Sequence, residues 1–253
     1  MTTPVDLGRP LVRLEEVDST NRVAAELAAQ GAPEGTTVVA EAQTGGLGRL
    51  GRAWSSPRGG LWLTTLLRPP AAVAESVATL ALVGGVAVAE TARRLIAGPG
   101  PTPEVRVKWP NDVHLNGRKV AGVLGQVHPP GVVLLGVGLN LNVFPDDLPA
   151  EVRPLATSLA QEAGRSFDPE GALGTLLDEL SAWYGRWLAE GFAPVRRRCL
   201  ELTATVGRTV WVSGPGLDFT GEALDIMDDG ALLVRSGGRD VVIRAGDVSV
   251  RAR

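Results

Sequence analysis

Residues 43–60 read QTGGLGRLGRAWSSPRGG, and within them Gly46-Leu47-Gly48-Arg49-Leu50-Gly51 has the spacing G-x-G-x-x-G. That spacing marks a dinucleotide-binding fold only when a helix opens inside it, because the pyrophosphate there rests on the helix N-terminus. The residues that follow are Arg52-Ala53-Trp54-Ser55-Ser56-Pro57 and then Gly59-Gly60. Proline lacks the backbone donor and paired glycines are costly to order, so no helix starts here. A parallel βαβ dinucleotide fold is excluded, and with no Gly-Lys-Ser/Thr after the glycines a P-loop is excluded too. What remains is a glycine-rich loop carrying Arg49 and Arg52. Glycines let backbone N–H groups approach an anion with no Cβ in the way, and guanidinium groups add planar charged donors. The same composition also suits a flexible surface loop.

Working outward, residues 11–16 (LVRLEE) read as a strand. Asp18, Ser19 and Thr20 offer N-caps for an alanine-rich helix that ends near Gln30, before Gly31 and Pro33. Residues 36–42 and 60–68 read as strands, and 75–97 as a helix in which Gly84 and Gly85 mark close packing. Further strands are expected over 104–109, 112–115, 118–127 and 132–141. A run of strands flanked by helices predicts an α+β fold with a mixed sheet, not a regular βαβ alternation. Residues 169–202 read as one long helix whose Trp183, Tyr184, Trp187 and Leu188 form an apolar, core-packing face. Beyond Thr205 the texture changes to short strands at 209–212, 219–226, 231–234 and 240–244, separated by turns, which suggests a small barrel. The boundary is placed at 204, giving domains 1–204 and 205–253.

Composition narrows the function. The chain has 253 residues, 44% of them hydrophobic, and a formal net charge of −3, which implies no basic face for nucleic acid. The single cysteine, Cys199, cannot form an internal disulfide, which fits a reducing interior. Residues 1–12 have no apolar core behind a basic start, and residues 77–88 are too short an apolar run to span a bilayer. A cytoplasmic location and no membrane partner are expected. Lysine occurs only twice, at Lys108 and Lys119, and all five asparagines (Asn21, Asn111, Asn116, Asn140, Asn142) lie in the first 142 residues. Lysine kept among so many arginines suits a compact point charge beside a group that moves during reaction.

At this level of detail a resemblance becomes specific. The segment 43–60 resembles the biotin-binding signature of biotin protein ligases. Asp18-Ser19-Thr20-Asn21 resembles that family's D-S-T-N element. Lys108-Trp109-Pro110-Asn111-Asp112 with Gly117-Arg118-Lys119-Val120-Ala121-Gly122 resembles its K-W-P-N-D and R-K-x-x-G elements. Gly136-Val137-Gly138-Leu139-Asn140-Leu141-Asn142 resembles its G-x-G-x-N-x-N element. The match runs from about residue 14 to 160 in the family's order. It implies a class II synthetase-like ligase domain followed by an SH3-like C-terminal barrel. It also implies a reaction in which biotin is activated by Mg-ATP to biotinyl-5'-AMP and passed to a lysine of a biotin carboxyl carrier protein domain.

Carried over position by position, the resemblance implies that Ser19, Thr20, Asn21 and Gln43 hold the ureido ring, with Gly46, Gly48 and Gly122 lining the biotin site. A ureido group has N–H donors and a carbonyl acceptor, so hydroxyls and amides suit it; Asp18, Ser19 and Thr20 could serve as simple caps at the same time. Arg49 and Arg52 would cover the carboxylate and phosphates, and Lys119 would bridge carboxylate and α-phosphate. Asp112 would hold magnesium. Asn111 and Asn140 would position nucleotide or metal, and Trp54 would line the adenine pocket or pack in the core. The loop is expected to be mobile when empty, since it must admit biotin and then exclude water.

Two departures stand out. Leu47 replaces the family's first loop arginine, and Gln126 stands where a glutamate is usual and receives no role. His114 and His128 fit no metal-ligand pattern. Only 13 residues precede the matching region, so neither a helix-turn-helix nor repressor activity is expected. A monomer or a homodimer is compatible with the sequence. Two other functions remain open: a lipoate-type acyltransferase, and a non-catalytic biotinyl-adenylate binding module.

Overall fold

The computed structural model describes residues 6–70, 78–98, 102–128, 131–244 and 249–252. The first part of the chain runs β1 (Leu11–Val17), α1 (Thr20–Ala29), β2 (Thr37–Gln43), β3 (Leu61–Leu67), α2 (Leu80–Ile96), β4 (Val105–Lys108), β5 (Asp112–Leu115), β6 (Arg118–His128) and β7 (Val132–Leu139). Three helices follow: α3 (Leu159–Ala163), α4 (Pro169–Glu190) and α5 (Ala193–Glu201). The chain closes with β8 (Thr209–Gly214), β9 (Leu217–Ile226), β10 (Leu232–Ser236), β11 (Arg239–Ile243) and β12 (Ser249–Ala252). The first seven strands form one sheet in the order β1-β2-β3-β7-β6-β5-β4. Its β1–β2 pair is parallel and the others are antiparallel, so the sheet is mixed as expected. The last five strands form an antiparallel sheet in the order β11-β10-β9-β8-β12.

Because successive residues of a strand point to opposite faces, the central strand β7 divides its apolar side chains between two layers. Val133, Leu135, Val137 and Leu139 join the large core with α2 and α4. Val132 and Leu134 face the other way, packing with Ala24 of α1, Val38 of β2 and Leu66 of β3. Helix α2 is apolar on nearly all sides because it is enclosed between sheet and α4. Gly84 permits this: a Cβ there would stand 2.7 Å from Val123 Cγ1 of β6, whereas at Gly85 the nearest atom, Val107 Cγ1, is 3.6 Å away. Of the two glycines flagged by the sequence, one is sterically required.

The expected helix over 169–202 is two helices. Asp168 caps α4 by accepting from the backbone N–H groups of Glu170 and Gly171, and Gly191, at φ 73°, ends it before α5 begins. The left-handed turn costs glycine nothing, and the apolar spacing on either side conceals it. The expected start at residue 75 lies outside the described residues; the described helix begins at Leu80. Neither α3 nor β12 was anticipated.

The edge of β4 is covered: the Val107 N–H donates to Leu202 O at 2.8 Å, and the Ala204 N–H returns to Val107 O at 2.8 Å. Unpaired strand edges are thereby removed where the C-terminal sheet begins. Buried Trp109 ties the two sheets together, its backbone N–H donating to Thr205 Oγ1 and its indole N–H to Gly230 O, each at 3.0 Å.

Candidate active site

Gly136 and Gly138 occupy the α1 side of β7, in line with Val132 and Leu134. Where the valine and leucine fill the layer, the glycines leave it empty, and a cavity of about 230 Å³ opens over them. Asn21, at the start of α1, lies above Gly136, where a Cβ would stand 2.6 Å from Asn21 Oδ1. The Trp54 indole lies above Gly138 and Gly122, which face each other across β7 and β6. Added Cβ atoms would meet it at 2.5 Å (Nε1) and 3.0 Å (Cζ3) respectively. Trp54 Nε1 is buried with no hydrogen-bond partner among the described residues.

One end of the cavity is built from hydroxyls and amides. Ser19 stands at the N-cap of α1, but its side chain makes no capping bond. Thr20 donates from backbone and hydroxyl to Gln43 Oε1 at 2.8 and 3.0 Å, and Gln43 Nε2 donates to Ser56 Oγ at 2.8 Å. The Thr20 and Thr64 hydroxyls are 2.8 Å apart, and Thr64 donates to Asn21 Oδ1. Asn21 Nδ2 in turn donates to Gln126 Oε1 at 2.7 Å. Gln126, which received no role from sequence, thus orients Asn21 from β6, the strand paired with β7, as Thr64 and Ser56 orient Asn21 and Gln43.

The other end is cationic. The glycine-rich loop folds as a hairpin: Gly45 N–H donates to Asp18 O, Trp54 N–H to Gly46 O and Gly48 N–H to Arg52 O, each at 2.8 Å. A 3-10 turn, Arg49–Gly51, closes its tip, with Leu50 held at φ 59°. Leu47 and Leu50 are 53% and 45% exposed there. A leucine in the left-handed region is strained unless its surroundings fix it. Arg49 Nη1 donates to Asn111 Oδ1 at 3.3 Å, and Asn111 Nδ2 donates to Val123 O at 2.9 Å. Lys119 Nζ lies 2.6 Å from Asp112 Oδ1 and 4.9 Å from the centre of the Trp54 ring. The pair is partly open to solvent, with side-chain exposures of 31% and 19%.

Of the residues singled out in the sequence, Ser19, Thr20, Asn21, Gln43, Gly48, Arg49, Arg52, Trp54, Asn111, Asp112, Lys119 and Gly122 all line this cavity. Two do not. Gly46 is packed beneath the loop, where a Cβ would be 2.5 Å from Trp54 O. Asn140 is 4% exposed, and its Nδ2 donates to Thr157 O at 2.9 Å. Among the described residues no group of three or more His, Cys, Asp or Glu side chains could hold a metal ion. His114 is held below its ordinary pKa by burial first and then by the Lys108 charge, and its Nδ1 lies 3.1 Å from Gly117 O. Burial pushes the Cys199 thiol up to about 12, so it stays protonated and unreactive.

Over residues 14–143 the chain matches the model of the biotin/lipoate A/B protein ligase family, and over residues 205–251 that of the biotin protein ligase C-terminal domain. It is 39% identical over 246 residues to a biotin–(acetyl-CoA-carboxylase) ligase of Mycobacterium tuberculosis, covering 95% of this chain and 88% of that protein. Its identity to the ligase of the same name from Paracoccus denitrificans is 36% over 242 residues, covering 93% and 98% of the two chains. Among solved structures, it is similar to the biotin protein ligase of Aquifex aeolicus in complex with biotin and ATP. That match has a TM-score of 0.84 at 30% identity, over 96% of this chain and 99% of the other.

Proposed function

The chain belongs to the biotin/lipoate A/B protein ligase family, and from that premise we propose that its cleft activates biotin with Mg-ATP and hands the biotinyl group to a carrier lysine. It is an ATP-dependent biotin protein ligase. The observation that carries the assignment of residues is the polarity of the cleft. Amides and hydroxyls at one end suit a ureido ring, and the Arg49, Arg52 and Lys119 cations at the other suit a carboxylate beside phosphates.

In the first step a biotin carboxylate oxygen attacks the α-phosphorus of ATP, and the bond to the β-phosphate oxygen breaks to release pyrophosphate. In the second, an amine of the carrier lysine attacks the acyl carbon, the bond to AMP breaks, and the nitrogen loses its proton as the amide forms. Thr20, Asn21 and Gln43 orient the ring, so the carboxylate arrives at Lys119. Lys119 leaves Asp112 and places its ammonium between the carboxylate and α-phosphate, stabilising negative charge that grows in the transition state. Arg49 and Arg52 bind phosphate oxygens, Asn111 sets Arg49, and Trp54 supplies a flat apolar wall beside the nucleotide. Asn140 contributes through Thr157, which it anchors. A magnesium ion fits this donor set, because it takes one or two carboxylates with phosphate oxygens and Asp112 is the carboxylate lining the cleft. When bound, it would neutralise phosphate charge.

The macromolecular partner is the biotin carboxyl carrier domain of a biotin-dependent carboxylase. No helix among the described residues is long and apolar enough to cross a membrane.

Pyrophosphate release from Mg-ATP, with biotin, with lipoate and with neither, tests the proposal in the absence of a carrier. Biotin-dependent release is expected. Release with lipoate alone would assign the chain to lipoate transfer, and none with either, despite tight biotin binding, would leave a binding module. A second expectation concerns the loop. Its exposed leucines and strained tip favour exchange between conformations in the empty protein, so amide hydrogen exchange at residues 47–53 should slow at least about tenfold with biotin and ATP. Equal rates with and without both ligands would remove the loop from the closure step.

A further inference from the structure

Lys119 sits in a short stretch whose backbone is held from both sides. Its N–H donates to Leu155 O, and its carbonyl accepts from Thr157 N–H, each at 2.9 Å, in an isolated parallel bridge with Ala156. The segment 155–157 is therefore a strap running alongside the start of β6, at the one residue whose ammonium must be placed beside the reacting atoms. One carboxylate fastens both the strap and the hairpin that leads into Lys119. Glu162, on α3, has a side chain only 8% exposed. Its Oε1 accepts from Thr157 Oγ1 at 2.6 Å and from Arg118 Nη2, and its Oε2 accepts from Asn116 Nδ2 at 2.6 Å.

Each of these donors occupies a meaningful place. Thr157 is the strap residue whose N–H holds Lys119 O. Arg118 immediately precedes Lys119. Asn116, at φ 49°, forms with Gly117 the tight turn between β5 and β6. We infer that Glu162 is a positioning residue for Lys119, fixing the Lys119 backbone by tying the 116–118 hairpin and the strap at Thr157 to one buried carboxylate. Burial by itself would raise this carboxyl's pKa, but the bonds from Thr157, Asn116 and Arg118 outweigh it and hold the pKa below the ordinary value. Glu162 is therefore charged at neutral pH, and a charged acceptor makes the stronger bonds.

Glutamine at this position has the same shape but only one acceptor oxygen. With that oxygen towards Thr157 and Arg118, its NH2 group faces Asn116 Nδ2. Asn116 cannot flip its amide without losing the bond its Oδ1 accepts from Glu104 N–H at 2.9 Å. Glu162→Gln thus loosens the hairpin side of the clamp while leaving the strap side in place.

The inference rests on the ligase assignment above, and the test separates the two. Biotin-dependent pyrophosphate release is measured for the natural chain and for Glu162→Gln. With misplacement of a catalytic cation by a fraction of an ångström, kcat is expected to fall about tenfold while KM for biotin and for ATP changes less than about twofold. The second readout uses the scarcity of lysine, since Lys108 and Lys119 are the only two in the chain. In protein labelled with 15N-lysine, the Lys119 amide signal should move in the variant while the Lys108 signal stays. An unchanged kcat, an unmoved Lys119 signal, or equal displacement of both signals with a lowered melting temperature would overturn the inference. Should Glu162→Gln fail to fold, Thr157→Val removes one of the three bonds without adding a donor, and about a threefold fall in kcat is expected with the same Lys119-only signal change. If the natural chain releases no pyrophosphate with biotin, the ligase assignment falls, and the Lys119 signal still decides whether Glu162 positions it.

Discussion

Replacing Lys119 with alanine is expected to cut biotin-dependent pyrophosphate release by roughly 10²–10³, the usual loss when one charge-stabilising group is removed from an active site. The geometry explains the size. Lys119 Nζ is 2.6 Å from Asp112 Oδ1 and 4.9 Å from the Trp54 ring centre, at the junction of the amide end and the arginine end of one cleft. On the proposed assignment, a carboxylate attacking a phosphate would bring two anions together there, and Lys119 would meet both. The fold should survive, because the side chain is partly exposed and the unpaired Asp112 that remains can be reached by water. Biotin binding should weaken but persist, since the hydroxyl and amide contacts at the other end are untouched. Lys119→Arg should not restore the rate: a planar fork cannot reproduce a compact charge moving between carboxylate and phosphate. The measurement is kcat for pyrophosphate release beside a melting curve, and a Lys119→Ala rate within about threefold of the natural chain would remove Lys119 from the chemistry.

What the sequence reveals and what it hides follow from the range of the interactions involved. The glycine-rich loop could be denied a nucleotide-binding helix because proline and paired glycines act on their own neighbours. The strand at 132–139 is likewise legible as a short apolar run, and the α+β class follows from a series of such runs flanked by helices. Asn21, Gln43, Lys119 and Asp112 lie in short segments whose order resembles a known family, so their presence in one cleft was expected. The partners that aim them were not. Gln126 is 105 positions from Asn21, and Glu162 is 44 from Arg118. Pairs so separated meet only once the strand order is set, and no local pattern encodes that order. Asn140 shows the same limit from the other direction. Its motif suggests a ligand, yet its amide reaches across to Thr157. The break at Gly191 was hidden differently, because a glycine flanked by apolar helical spacing on both sides reads as one helix until its φ is known.

Gly138→Val should lower biotin affinity about a hundredfold, at the upper end of what forcing extra atoms into a packed site costs. Gly138 is where β7 lacks a side chain so that the Trp54 indole can lie flat. The Cβ alone would stand 2.5 Å from Nε1, 2.7 Å from Cε2 and 2.9 Å from Cζ2, all on a rigid ring backed by Trp62. The ring must therefore lift, and it lifts into the cavity, towards Lys119 and the space the ligand needs. Gly122→Ala meets the same ring at 3.0 Å and 3.3 Å, a contact relieved by a shift of a few tenths of an ångström, so its effect should be clearly smaller. Gly125, on the same strand β6, has nothing within 4 Å of an added Cβ, and Gly125→Ala should bind biotin normally. Calorimetric titration of the three variants therefore yields an order, Gly138 much worse than Gly122 and Gly125 silent. If Gly138→Val bound biotin as tightly as Gly125→Ala, the flat seat of Trp54 would have no part in the site, and the gap that Gly136 and Gly138 leave in the layer would need another explanation.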